Sequence, residues 1–275
     1  MAIDGKPGKI PDCKLLAPDE PLPFAVLNSS SMTPLLLVCD HASRRFPKAL
    51  GNMGLDPVAR RCHLALDIGA GALTERLASS LDVTAVLAQY SRLVVDCNRD
   101  LLDPGAFLEF GDGVVIHGNR NLGQEDKDQR AADIYWPYHC AIDVELKRLA
   151  AFDYPTAFYA IHSFTPVLNG KSRDLEIGIL WDADRPTAQF LIDGFSKAGF
   201  KVGDNEPYSG KGPQDFTIDH HAEDAQLPHV GIEIRQDLIN DEPGVCAMAK
   251  VMHELLEPVL VGSHNGKLVL GPTGS

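Results

Sequence analysis

Three short apolar runs in this chain each end in a group able to bind a metal or move a proton, and none leads into a nucleotide-binding loop. They are Leu35-Leu36-Leu37-Val38 ahead of Asp40-His41, Phe158-Tyr159-Ala160-Ile161 ahead of His162, and Val230-Gly231-Ile232 ahead of Glu233 and Arg235. Runs of this length suit buried strands, and in an open α/β sheet ligands sit beyond the carboxyl ends of the strands. Residues far apart in sequence then meet at one place, so the pattern predicts an α/β fold with its active site at the strand ends.

The segments between the runs support that class. Pro7, Pro11, Pro18, Pro21 and Pro23 predict an extended arm over residues 1–30. A single catalytic domain is expected over 31–262, followed by a tail over 263–275. Helices are predicted from Asp56-Pro57 to Arg61, Asp67 to Ser79, Tyr135 to Leu149, Pro186 to Ala198 and Val245 to Leu256. Further strands are predicted at Leu35 to Cys39, Val83 to Leu87, Leu93 to Asp96, Glu176 to Trp181 and Val230 to Ile234. This alternation predicts a largely parallel sheet, with antiparallel pairing where strands follow each other directly within 83–96. The stretch from Pro104 to Arg130 is rich in Gly, Asn and Asp and too long for a mere connector, which marks it as functional or mobile.

Charge and composition exclude other classes. A formal net charge of -13 opposes generic binding to phosphate backbones, so nucleic acid is not an expected partner. No apolar stretch approaches the roughly 20 residues of a membrane span, and Met1 to Asp12 lacks the apolar core of a signal peptide. A soluble, cytoplasmic protein is expected. The six cysteines include no CxxC pair, which excludes a zinc ribbon or a thioredoxin motif, and most are expected to be buried thiols.

A catalytic zinc takes three protein ligands and leaves a fourth position for water, whose pKa it lowers toward about 7. His41 and His162 are natural ligands at strand ends. Asp67, at the start of a predicted helix, is the chosen third ligand, with Asp40 its competitor although a neighbour of His41 on a strand end should point away. Glu233 then remains as general base.

Five motifs in order carry a family resemblance: Cys39-Asp40-His41-Ala42-Ser43, Asp96-Cys97-Asn98-Arg99-Asp100, Tyr135-Trp136-Pro137-Tyr138-His139, Ile161-His162-Ser163-Phe164 and Ile232-Glu233-Ile234-Arg235. Together they resemble the N-formylglutamate amidohydrolase family, related in fold to zinc carboxypeptidases and the aspartoacylase group. The resemblance implies a three-layer α/β/α sandwich, phosphorylase/hydrolase-like, that binds one Zn2+ per chain. It also implies hydrolysis of N-formyl-L-glutamate to formate and L-glutamate, a step of histidine degradation. It supports His41 and His162 as ligands and Glu233 as the catalytic carboxylate. One departure stands out: zinc carboxypeptidases carry a ligand Glu three residues after the first His, and here that place holds Arg44, which cannot ligate a metal.

A carboxylated small molecule needs fixed positive charge, and the planar fork of arginine suits a carboxylate. Arg99 with Asn98 resembles the asparagine-arginine pair by which zinc carboxypeptidases hold a terminal carboxylate. Arg92, Arg235 and Arg130 are alternatives, though each could equally pair with a nearby acid. Tyr135, Trp136 and Tyr138 read as helix anchors at least as readily as substrate contacts, with His139 a lesser candidate for contact. His220-His221 with His229 forms a weaker alternative metal cluster, because adjacent histidines on an irregular segment do not easily face one ion. Two rival functions use the same residues: a zinc carboxypeptidase or amidase acting on a peptide or cell-wall fragment, and a non-catalytic carboxylate-binding protein.

Overall fold

The computed structural model describes residues 15–152, 155–168, 170–212, 215–223 and 225–262, with side chains 259, 261 and 262 excepted. Most of the strand predictions survive contact with the fold. The strands are β1 (Phe24–Leu27), β2 (Leu35–Cys39), β3 (Thr84–Ala88), β4 (Phe110–Gly111), β5 (Val114–Val115), β6 (Ala157–Phe164), β7 (Val167–Leu168), β8 (Lys171–Ser172), β9 (Ile177–Leu180), β10 (Val202–Asp204) and β11 (His229–Arg235). The helices are α1 (Ala70–Leu81), α2 (Gln124–Arg130), α3 (Trp136–Leu149), α4 (Arg185–Lys197), α5 (Phe216–Ile218) and α6 (Glu242–Gly262).

Seven strands form one mixed sheet in the order β1-β3-β2-β6-β11-β9-β10. The four central strands β3, β2, β6 and β11 run parallel, so their carboxyl ends open on one edge. Alternation along β2 sends Leu35, Leu37 and Cys39 into one core, with residues of α1, α4 and α6, and Leu36 and Val38 into the other, with residues of α3 and the preceding segments. The result is a three-layer α/β/α sandwich. Strands buried on both faces need continuous apolar runs, which is why the three opening segments of sequence are so uniformly hydrophobic. No helix among the described residues is long and apolar enough to cross a membrane.

Several predictions of local structure are corrected. Phe24–Leu27, inside the expected arm, pairs antiparallel with β3 as a sheet edge. The other antiparallel pair of the seven-stranded sheet is β11 with β9, not strands within 83–96. Leu93 to Asp96 is a turn segment rather than a strand, because side chains capture its carbonyls: Asn119 Nδ2 donates to Leu93 O and Arg130 Nη1 to Val94 O. The helix expected near Asp56 shrinks to a 3-10 turn at Ala59–Arg61. The segment from 104 to 130 holds the β4-β5 hairpin, two 3-10 turns and α2, and a single π turn at Ala131–Tyr135 joins α2 to α3. Of the five described cysteines only Cys39 and Cys97 are buried, so the expectation of mostly buried thiols fails. Residues 1–14 of the arm and the whole tail 263–275 lie outside the described residues.

Candidate active site

The parallel strand ends supply the site. In the β6-β11 register Glu233 sits directly opposite His162, so both side chains leave the same face of the sheet side by side. His41 follows the end of β2, and the backbone N–H of Asp67 donates to His41 O at 3.0 Å, which ties the approach to α1 against that strand end. Gly69 lets the same segment pass close to the turn after β11. Its φ of 82° is left-handed, and a Cβ there would lie 2.1 Å from Ile239 O.

His41 Nδ1 and His162 Nδ1 lie 3.3 and 3.0 Å from the same atom, Asp67 Oδ2. The Ser163 N–H also donates to that oxygen at 3.2 Å. Among the described residues this is the one group of three ligating side chains, all buried, with their ligand atoms within 4.8 Å of one another. The far nitrogens of both rings meet acids. His41 Nε2 bonds Asp96 Oδ1 at 2.7 Å, and His162 Nε2 lies 3.2 Å from Asp40 Oδ2, near enough for an ion pair though without hydrogen-bond alignment. Metal-ligating histidines characteristically turn their second nitrogen to a carboxylate, which fixes the tautomer and raises ligand basicity. Glu233 Oε2, Asp40 Oδ2 and His162 Nε2 are buried with no hydrogen-bond partner. Two imidazoles and one carboxylate also match the donor set of catalytic zinc, so the residues fit such an ion.

The electrostatics agree with that arrangement. Burial opposes ionising Asp67, yet the two histidines outweigh it and hold the carboxyl well below its usual range. Asp40 is likewise held at about 2, against burial, by His162, His41 and Thr217. Burial and Arg92 work against protonating His41, and Asp96 and Asp67 overcome both. Glu233 goes the other way: burial pushes its carboxyl up to about 7.

A cavity of about 210 Å³ stands over these groups, lined among others by His41, Asp67, His162, Glu233, Asn98 and Arg99. Tyr208, Ser209, Phe164 and Thr165 form part of its wall, as does the buried acid Asp215. Of the predicted arginines, Arg99 and Arg92 line the cavity. Arg92 arrives with one edge of its fork taken by Asp96. Arg235 and Arg130 do not reach it. Arg235 is captured by Asp237 and by the carbonyls of Arg173, Asp174 and Leu175, while Arg130 is spent on Val94 O, Asn119 and Gly118 O, where it pins the segment from 104 to 130. Asn98 keeps its Oδ1 on the Thr217 N–H.

Asp40 is not one of the three clustered ligand groups: its Oδ2 faces the far nitrogen of His162, and its Oδ1 accepts from Tyr138 OH at 2.8 Å and Thr217 Oγ1 at 2.7 Å. Tyr138 and Thr217 therefore belong to the site's support, and so does Asp96. No local pattern reveals them, although Asp96 and Tyr138 fall inside two of the five motifs. The alternative cluster of histidines does not converge on an ion: His221 bonds His139 and Asp143, and His229 Nδ1 donates to Leu227 O. His139 is buried and bonded to His221 and Cys97 O rather than lining the cavity.

A mixed, mostly parallel α/β/α sheet with a His-Asp-His cluster and a buried glutamate at its strand ends defines a hydrolase with a metal-capable site. The chain belongs to the N-formylglutamate amidohydrolase family, whose model matches residues 33–240, and it is an amidohydrolase. It is similar to the crystal structure of a gene product from Agrobacterium tumefaciens, at 33% identity and TM-score 0.87 over 92% of this chain and 100% of that one. The N-formylglutamate amidohydrolase from Ralstonia eutropha shares the fold at 18% identity, with TM-score 0.69 over 89% of this chain and 99% of that one. No curated protein matches the chain.

Proposed function

We propose that the chain is a zinc-dependent amide hydrolase of a small N-acylated acidic amino acid, with N-formyl-L-glutamate, cleaved to formate and L-glutamate, as its substrate. The observation that carries this reading is the cluster of His41, Asp67 and His162 with Glu233 directly opposite His162 in the strand register. These three residues would hold one Zn2+, which when bound supplies a Lewis acid that acidifies water and polarises an acyl carbonyl.

Glu233 holds and moves the proton. Its carboxyl, raised to about 7, accepts a proton from the attacking water and returns it to the amide nitrogen as the amine departs. Arg99, supported by Asn98, faces the cavity where a substrate carboxylate would lie, and its planar fork is the group that grips one through paired hydrogen bonds. The cavity of about 210 Å³, with Arg92 and Arg99 in its wall, supports a small carboxylated substrate over the peptide-directed rival.

Formate release from N-formylglutamate, set against a panel of other acylated amino acids and repeated after chelation, tests the substrate and the metal together. Activity should be confined to acidic acyl amino acids and return with added zinc. Glu233→Gln should keep zinc while turnover drops about 10²–10⁴-fold. Full activity in that variant would remove the residue from its role.

A further inference from the structure

Arg92 closes a ring through two of the three candidate metal ligands. Its Nε and Nη2 grip Asp96 Oδ2 at 3.0 and 2.7 Å, and Asp96 Oδ1 holds His41 Nε2 at 2.7 Å. His41 Nδ1 faces Asp67 Oδ2 at 3.3 Å, and Asp67 Oδ1 returns to Arg92 Nη1 at 3.5 Å. The carboxylates at 67 and 96 come from the approach to α1 and from the turns after β3, so no local rule brings them together. One guanidinium bridges both.

We propose that Arg92 is a positioning residue of the metal site rather than the clamp for the substrate's carboxylate. The inference rests on the reading of His41, Asp67 and His162 as metal ligands. Asp96, immobilised by the fork, fixes the His41 ring so that Nδ1 is presented to the ion. The contact on Asp67 Oδ1 draws that oxygen aside and leaves Oδ2 to ligate. The Nε–Nη2 edge is taken by Asp96 and Nη1 is drawn to Asp67, while Arg99 stands in the same cavity to meet a substrate carboxylate. Lysine cannot substitute, because a point charge cannot span two acids in this geometry.

The test compares zinc binding, cobalt spectra and kinetics in Arg92→Lys, Arg92→Met, Asp96→Asn and the Arg92→Met/Asp96→Asn double variant. Metal-stripped protein is titrated with zinc against a chelating indicator, and the cobalt(II) absorption spectrum reports ligand geometry without any turnover. Zinc affinity should fall about 10–100-fold in Arg92→Met, the range typical for losing an outer partner of a ligand. Arg92→Lys should lose affinity and shift the cobalt spectrum while retaining the wild-type melting transition, which separates positioning from folding. The double variant should bind zinc no more weakly than Asp96→Asn, and KM for N-formylglutamate should hold. Wild-type zinc affinity and an unshifted cobalt spectrum in both Arg92 variants, with KM raised, would overturn the proposal and assign the residue to substrate. A wild-type chain that binds no zinc would overturn the metal reading itself, and that failure shows before any variant is made.

Discussion

The two histidines of the cluster are held in opposite ways. His41 rests on Asp96, which is gripped by a guanidinium whose side chain is 25% exposed at the cavity wall. His162 faces Asp40, whose side chain is 0% exposed and whose donors are the neutral hydroxyls of Tyr138 and Thr217. Depth accounts for the difference. At the wall an arginine keeps part of its hydration, whereas beneath the sheet edge a second buried cation would carry a desolvation cost of several kcal/mol. Hydroxyl donors there reach one Asp40 oxygen, Oδ1, without adding charge, while Oδ2 faces the far nitrogen of His162. The same task, orienting an imidazole, is thus done by an ion pair near water and by dipoles in the core.

That contrast can be broken at several points. The largest effect should come from the proposed ligands: His162→Ala and His41→Ala should each lose zinc and all measurable turnover, and metal analysis finding undiminished zinc in either would strike that residue from the proposed set. Removing the supporting acids comes next. Asp40→Asn and Asp96→Asn should each weaken zinc binding about 10–100-fold. If only Asp96→Asn does so, the Asp40 contact on His162 plays no part in holding metal.

A smaller effect is expected from the hydroxyls. Tyr138→Phe leaves a buried carboxylate short of a donor and should cost about 1.5–3 kcal/mol of stability in denaturant melts, and a variant as stable as the parent would show that Thr217 alone satisfies Asp40. A pH-dependent effect lies just behind that contact, where the His139 pKa is held at about 3 and that of His221 at about 4, chiefly by burial. Both pKa values are depressed below the unfolded value of about 6.5, so their contribution is complete above that pH and is lost as pH falls toward 4. Equilibrium unfolding between those limits should show stability rising with pH, with a shallower slope in His221→Asn. Activity carries its own pH limb. Glu233 must be unprotonated to act as a base, so kcat/KM should climb as pH rises through about 7, and the limb should vanish in Glu233→Gln.

Much of the frame was legible from residues alone. The apolar runs ending at His41, His162 and Glu233 read as strands because strands covered on both faces must be apolar throughout, and β2, β6 and β11 follow them closely. Asp67 was read as the acid opening a helix, whereas α1 begins at Ala70 and Asp67 sits in the approach to it. The edge strand Phe24–Leu27 was hidden among prolines that suggest an arm. Leu93 to Asp96 misled in the other direction, since its apolar character served packing while Asn119 and Arg130 took the carbonyls a ladder would need.

By itself, then, the order of residues determined the class of fold and the three strand ends where chemistry would gather, because hydrophobic periodicity is local and survives without knowledge of neighbours. Which arginines line the cavity, and what holds each histidine, were decided only by tertiary structure. Asp96 reaches His41 across 55 positions, Tyr138 reaches Asp40 across 98, and Thr217 reaches it across 177. Hydrogen bonds and ion pairs act over about 3 Å in space, and nothing in sequence spacing records which distant side chains the closing of the sheet will bring within that range.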